Sequence, residues 1–303
     1  MDKPVILITG GNGFLGSNLA SRFAGSEARV IITVRKSSKL ARLKKIIKLG
    51  KVKTVFADPK SLKKLFVENR VETVIHTATN YGRHGETLKE IRAVNTDLPC
   101  MILEIGKALG LKYFINTDTF LPENAPEEDK YFNYVRTKKD LILKAKKILQ
   151  DSAIKFINAR IYHMYGPNDN PDKFFPWVIQ QLLLGGPKIE LSPGKQVRDF
   201  IYISDVVSAF AAILRHVEEF RSFEHFEIGT GKALPLKTAV ELMKKLSHSP
   251  TKLLWGKREY EPGEIMESRA PVEKNRKIGW HAQVDLETGL CSTVNYYIET
   301  KSV

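Results

Sequence analysis

Apolar residues recur along this chain at two spacings, and their alternation lays out its first half. Residues 5–9 are a continuous apolar run, the mark of a strand covered on both faces. A turn of glycines follows at once, Gly10-Gly11-Asn12-Gly13-Phe14-Leu15-Gly16, and helical spacing takes over for residues 14–24. The pattern then predicts strands at 30–34, 54–56, 73–76 and 113–116, with helices at 39–48, 61–68 and 87–109 between them. Turn residues crowd 121–128 before a helix that carries Tyr134 and Lys138, and 155–160 reads as another strand. Strands alternating with helices predict an α/β fold, a doubly wound parallel sheet of the Rossmann type whose ligands meet the carboxyl ends of the strands.

The alternation fades after residue 160. Short elements are punctuated by Gly185-Gly186-Pro187, Pro193-Gly194, Gly229, Gly231 and Pro262-Gly263. A nucleotide-binding domain over residues 1–160 and a smaller α/β lobe over 161–303 are therefore expected, with an apolar helix near 204–217 packing back on the sheet.

Charge adds a preference for anions. The 48 lysines and arginines exceed the 34 acidic residues, a formal charge of +14, and lysines recur in clusters over 36–53, 60–64 and 138–147. These read as solvated helix faces together with a preference for polyanionic small molecules. No RRM, zinc-finger or arginine-rich pattern supports a nucleic-acid partner, and no run approaches the ~20 apolar residues of a membrane span. Cys100 and Cys291 stand alone, which suggests neither a disulfide framework nor a metal site. The chain opens directly on a strand without a leader pattern, so a soluble cytoplasmic protein with no membrane partner is expected.

Candidate chemistry begins at the glycine turn. Strand, glycine turn and helix in that order let the backbone approach a pyrophosphate at a helix N-terminus, so Gly10, Gly13, Phe14, Leu15 and Gly16 are expected to hold a dinucleotide. The position ~20 residues beyond such a turn normally carries an acid for the ribose 2′-OH, whereas arginine accommodates a 2′-phosphate. Here the strand ends in Arg35 and Lys36, which favours NADPH over NADH; the two are otherwise surface charges opening the lysine-rich helix. A second feature is Tyr134, with Lys138 four residues on and so one turn away on the same helical face, where an ammonium can move a phenol pKa down from ~10. Such a pair alone would be an ordinary surface pair.

In order, the glycine turn, Asp58, His76-Thr77-Ala78-Thr79, Asn95, Thr117, Tyr134-x-x-x-Lys138, Tyr165-Gly166-Pro167 and Arg198-Asp199-Phe200-Ile201-Tyr202-Ile203 run the length of the chain. Together they resemble the extended short-chain dehydrogenase/reductase family, which contains nucleotide-sugar epimerases, dehydratases and ketoreductases. The resemblance implies Tyr134 as general acid or base, Lys138 on the nicotinamide ribose, Thr117 holding the sugar oxygen, and Asp58 and Ala78 among the cofactor contacts. It implies Arg198 on the substrate nucleotide, Arg258 on its pyrophosphate, and dimerisation through the helix of the Tyr-Lys pair. The family's 4,6-dehydratases carry an Asp-Glu pair after the threonine; this chain has Asp118-Thr119, and a threonine cannot serve as the carboxylate base of an elimination.

A narrower resemblance lies in Tyr81-Gly82-Arg83-His84, Asn116-Thr117-Asp118-Thr119-Phe120, His163-Met164-Tyr165-Gly166, Asp172-Lys173-Phe174 and Arg198-Asp199-Phe200-Ile201. These stretches are similar to the CDP-abequose and CDP-paratose synthases, NADPH-dependent reductases of CDP-4-keto-3,6-dideoxyglucose in the biosynthesis of lipopolysaccharide O-antigen sugars. That resemblance implies a CDP-linked 4-ketosugar as partner, with Tyr81, Thr119, His163 and Lys173 at the substrate and the last two as cations for its diphosphate. The two product stereochemistries stay open, as do an epimerase that retains NAD and a non-catalytic Rossmann-like protein.

Overall fold

The computed structural model of the protein describes residues 3–121 and 131–301. The chain folds into two units, one of residues 1–160 with 210–226 and one of residues 161–209 with 227–303. It enters on β1 (Val5–Thr9), α1 (Phe14–Phe23), β2 (Arg29–Val34), α2 (Lys44–Lys48), β3 (Val52–Phe56), α3 (Pro59–Glu68) and β4 (Val71–His76). Then come α4 (Leu88–Arg92), α5 (Leu98–Ala108), β5 (Tyr113–Thr119), α6 (Phe132–Ile148) and β6 (Lys155–Ile161). Next are β7 (His163–Tyr165), α7 (Phe174–Leu184), β8 (Lys188–Leu191), β9 (Val197–Tyr202), α8 (Ile203–Arg215) and β10 (Phe223–Ile228). The chain ends with β11 (Ala233–Pro235), α9 (Leu236–Leu246), β12 (Lys252–Trp255), β13 (Glu267–Ser268) and α10 (Leu286–Lys301). None of the described helices is long and apolar enough to cross a membrane.

The Rossmann sheet has seven strands in the order β10-β6-β5-β4-β1-β2-β3. β1 lies between β2 and β4, parallel to both, so successive connections leave it in opposite directions. This reversal opens a crevice beyond the carboxyl ends of β1 and β4, the place where such sheets take ligands. β1 is buried at every position, as its unbroken apolar run requires. Leu7, Leu62, Val74, Ile102, Leu103, Phe114, Leu141 and Phe156 are fully buried members of one core, which Phe114 and Phe156 extend by stacking with centroids 5.3 Å apart.

Three elements depart from the sequence pattern. The lysine-rich helix expected at 39–48 shrinks to a 3₁₀ turn, Ala41–Leu43, and the five residues of α2. No side chain caps either piece, and the β-branched pair Ile46-Ile47 weakens helical propensity. The helix expected at 87–109 is interrupted by a π turn, Ala93–Asp97. There the fully buried Asn95 donates to Asn80 O (2.8 Å) and Thr137 Oγ1 (3.1 Å) and accepts from Asn80 N, while Thr96 Oγ1 donates to Thr137 O. These bonds fit the widened turn, a distortion that places polar side chains against α6. Finally, β5 continues through Thr119, so Thr117, Asp118 and Thr119 lie within the strand, with alternate side chains on opposite faces.

The second unit is built round β9, with β11, β13 and β7 paired to it, and a separate parallel pair of β8 and β12. Its core gathers Phe175, Val178, Ile179, Leu182, Phe200, Val240, Met243, Leu290 and Val294. Asp199 is fully buried and its carboxylate accepts four bonds of 2.6–3.0 Å, from Thr230 N and Oγ1, Gly231 N and Ala270 N. A buried charge persists only with such satisfaction.

Candidate active site

The glycine turn has the shape that a phosphate cradle needs. Gly10 has φ +63°, and a Cβ there would lie 2.7 Å from the Ala78 backbone. A Cβ at Gly16 would strike Gly10 O and Thr77 Oγ1, so this glycine lets α1 sit tightly on β1. Gly13 N donates to Gly10 O (2.9 Å) and closes the turn, while Gly13 itself is the N-cap of α1 and offers no side chain to its first N–H groups. Phe14 and Leu15 begin the helix and are buried. Ala78 is held in place because Thr9 Oγ1 accepts from Thr77 N and Ala78 N, and Thr77 Oγ1 donates to Thr9 O. These residues fit a dinucleotide pyrophosphate at a helix N-terminus.

Arg35 and Lys36 are exposed just past β2, in a turn closed by Arg35 N donating to Ser38 Oγ (2.8 Å) and Ser38 N to Arg35 O (2.9 Å). Sequence reasoning missed Arg42, whose Nη1 donates to Asn12 O (3.4 Å) and so reaches the glycine turn. In the sequence it is one more cation in a basic stretch, with nothing to distinguish it from its neighbours. Asp58 caps α3 by accepting from Ser61 N (2.9 Å), and that bond holds its carboxyl below the usual range.

Around α6 the sequence-predicted residues come together. Lys138, only 2% exposed, donates from Nζ to Thr117 O (2.7 Å) and Thr79 Oγ1 (3.3 Å). Burial lowers its pKa to about 8, against a smaller upward pull from Asp118. Tyr134 is also buried, and its ring meets that of Tyr81 with centroids 4.9 Å apart. The Arg83 guanidinium lies over the outer ring, 4.7 Å from the Tyr81 centroid.

The expected effect of the lysine on the phenol is not what the structure shows. Burial first, then Tyr81 and Asp118, push the Tyr134 pKa well above the ordinary tyrosine value, and a Thr119 hydrogen bond and Arg83 oppose them. Lys138 aims at the Thr117 carbonyl, and desolvation dominates the phenol. Thr117 departs from expectation as well, since its hydroxyl proton is donated to His76 O (2.9 Å) and it meets a further ligand as an acceptor. The hydroxyl that interacts with Tyr134 is that of Thr119. Asp118 lies within a polar chain: Asn116 Nδ2 donates to Asn158 Oδ1 (2.7 Å), Asn158 Nδ2 donates to Asp118 Oδ2 (2.5 Å), and Arg160 Nε stands 3.7 Å from the same carboxylate.

In the second unit, the candidate cations have protein partners. Arg198, largely buried, forms a short ion pair with Glu264 and donates to Val197 O. His163 Nε2 lies 2.7 Å from Ser268 Oγ, and burial with Arg198 beside it pushes its pKa down to about 3. It is therefore neutral at ordinary pH, which corrects its reading as a cation for a diphosphate. Lys173 Nζ donates to the buried carboxylate of Asp169 (3.0 Å). Arg258 is exposed, with its guanidinium 5.9 Å from the Trp177 ring centroid.

A Rossmann sheet with a glycine cradle at its switch point and a tyrosine and lysine on α6 defines a nicotinamide-dependent oxidoreductase fold. The NAD dependent epimerase/dehydratase family model matches residues 6–229, and the chain belongs to that family. It is similar to a CDP-abequose synthase of Salmonella muenchen, 31% identical across 94% of this chain and 95% of that one. A CDP-abequose synthase of Salmonella typhimurium strain LT2 is 27% identical over 95% and 96% of the two chains. Among solved structures, UDP-glucose 4-epimerase of Thermotoga maritima superposes with a TM-score of 0.84 at 23% identity, covering 98% of this chain and 99% of that one, which shows the shared fold.

Proposed function

We propose that the chain is an NADPH-dependent 4-ketoreductase of a CDP-linked 4-keto-3,6-dideoxyhexose, of the CDP-abequose synthase kind. The observation that carries this reading is the placement of Tyr134: a buried phenol on α6, with the Thr119 hydroxyl of β5 at its oxygen and Lys138 one turn away. Reduction of a ketone needs one proton donor, and a buried phenol can serve as one, its proton passing to the far more basic alkoxide oxygen that reduction creates. When bound, the reduced nicotinamide supplies the hydride to the sugar carbonyl carbon. Tyr134 Oη gives its proton to the carbonyl oxygen, so the ketone becomes an alcohol. Thr119 supports the phenol, Lys138 anchors the end of β5 through Thr117 O, and Tyr81 covers the Tyr134 ring.

Dehydration would need a carboxylate base, and neither neighbour of the phenol supplies one. Thr119 is a hydroxyl, and Asp118 is tied to Asn158 and Arg160. NADPH is the cofactor of this reading because no acid follows β2 and Arg35 and Lys36 stand in its place, with Arg42 close by at Asn12. Arg198 and Arg258 are assigned to the substrate nucleotide, with Lys173 and a neutral His163 as further substrate contacts.

The relatives' names support the CDP-linked substrate and the abequose stereochemistry; the paratose epimer at C4 is the alternative product. A nucleotide-sugar epimerase with retained NAD is the second reading, favoured by the family itself. One assay separates them: purified protein with NADPH and a CDP-4-keto-3,6-dideoxyhexose consumes cofactor absorbance in step with ketone loss, and proton NMR of the product reads its C4 configuration. Isomerisation without net NADPH oxidation would replace the reductase reading with the epimerase one. The same reading carries a cytoplasmic homodimer of O-antigen sugar biosynthesis, for which sedimentation equilibrium at micromolar protein is the check on the dimer.

A further inference from the structure

The positive charge of this protein is concentrated in one place. Ten of the 48 lysines and arginines, and none of the 34 acidic residues, fall within residues 28–57; the remainder of the chain is close to balance, 38 cations against 34 acids. Those residues form β2, α2 and β3, and β3 is an edge strand of the sheet. Arg35 belongs to the cofactor reading, Arg42 bonds Asn12 O, and Arg29 bonds Asn69 Oδ1. Lys44, Lys45 and Lys48 on α2, with Lys51 and Lys53 at β3, are exposed and have no task in that chemistry. Two large apolar side chains of the same stretch are also exposed: Leu49 by 58% and Phe56 by 48%.

We infer that this sheet edge docks on the headgroup surface of an anionic lipid bilayer. Charge complementarity selects an anionic partner, and the residue types select which one. Lysines dominate the patch, and as compact point charges they suit a diffuse surface potential rather than bidentate reading of single phosphates. Exposed Leu49 and Phe56 supply the apolar contacts that an interfacial site adds to its cations. A single-stranded nucleic acid would call for interleaved aromatic platforms, and Phe56 is the only aromatic residue in the stretch. Peripheral contact of this sort needs no spanning helix, and it stands or falls independently of the ketoreductase reading.

The test is flotation of the full-length protein with vesicles of phosphatidylcholine alone, or of phosphatidylcholine with phosphatidylglycerol, at about 0.15 M salt. The protein should float with the anionic vesicles only. The triple variant Lys44→Glu, Lys45→Glu, Lys48→Glu should lower partitioning by at least about tenfold, because each lysine near such a surface is worth about fivefold. The matched reversal Lys237→Glu, Lys244→Glu, Lys245→Glu on α9 should stay within about twofold of the parent, which separates a local surface from net charge. Leu49→Ser with Phe56→Ser should cost several-fold at the same salt. Failure to float, equal binding to neutral vesicles, or equal loss from both triple variants would overturn the proposal. So would a single-stranded RNA that binds the patch more tightly than the vesicles at this salt, making the edge a nucleic-acid surface.

Discussion

The two units of the chain treat their candidate functional cations in opposite ways. In the first, Lys138 donates to neutral oxygens, Thr117 O and Thr79 Oγ1, and keeps its charge within a buried cluster. In the second, Arg198 is matched to Glu264 and Lys173 to Asp169. A charge held by neutral donors and acceptors keeps its electrostatic reach, whereas one opposed by a carboxylate has largely lost it. Chemistry is therefore assigned to the first unit, and in the proposed reading a substrate's phosphates would compete with Glu264 for Arg198.

The largest effect should come from Tyr134→Phe, which removes the acid and leaves the fold. It should lower kcat by about 10²–10⁴, with NADPH affinity by fluorescence titration close to that of the parent; a fully active Phe variant would refute the mechanism. Arg35→Glu is expected to weaken 2′,5′-ADP binding by about 10–100-fold, the loss of one charge-assisted contact and its replacement by repulsion, while 5′-AMP binding measured by calorimetry barely moves. Equal losses for both nucleotides would remove the 2′-phosphate reading.

The contrast sharpens with pH. A lysine of pKa about 8 loses its ammonium charge as pH rises through that value, so activity should fall on an alkaline limb near pH 8. Lys138→Arg should remove that limb, since a guanidinium does not deprotonate in this range. Asp118→Asn should move it to lower pH, because the carboxylate favours the charged lysine. A limb unmoved by either change would assign it to another group. The smallest effect belongs to the second unit: Glu264→Gln should lower KM for the nucleotide sugar by a few-fold, about 1 kcal/mol or less, as Arg198 is released. If KM rises instead, Glu264 orients Arg198 rather than competing for it.

Much of this was legible in the residues. The unbroken apolar run of β1, the glycines after it and the alternation of periods were enough for the Rossmann sheet, because each reflects local sterics or burial on both faces. The gathering of Thr117, Tyr134 and Lys138 near one strand end followed from the order of motifs. What was not legible was state and partnership. The rise of the Tyr134 pKa depends first on desolvation and then on Tyr81, neither of which spacing reveals. The commitment of Thr117's proton to His76 O follows from the pairing of β4 with β5. His163 is only half-buried on its short strand, yet desolvation of the imidazole and Arg198 beside it remove the charge its residue type suggests. Arg42 was hidden by the uniform basicity around it.

The buried carboxylate of Asp199 also bears on the order in which the molecule can be made. Its four donors come from residues 230, 231 and 270, far later in the chain than the strand that carries it. During synthesis, until residue 270 has left the ribosome, the centre of the second unit contains an anion whose ligands do not all exist. A nascent chain of that length that packed β9 would bury an anion short of one of its four donors, so the full set is complete only once Ala270 has been made.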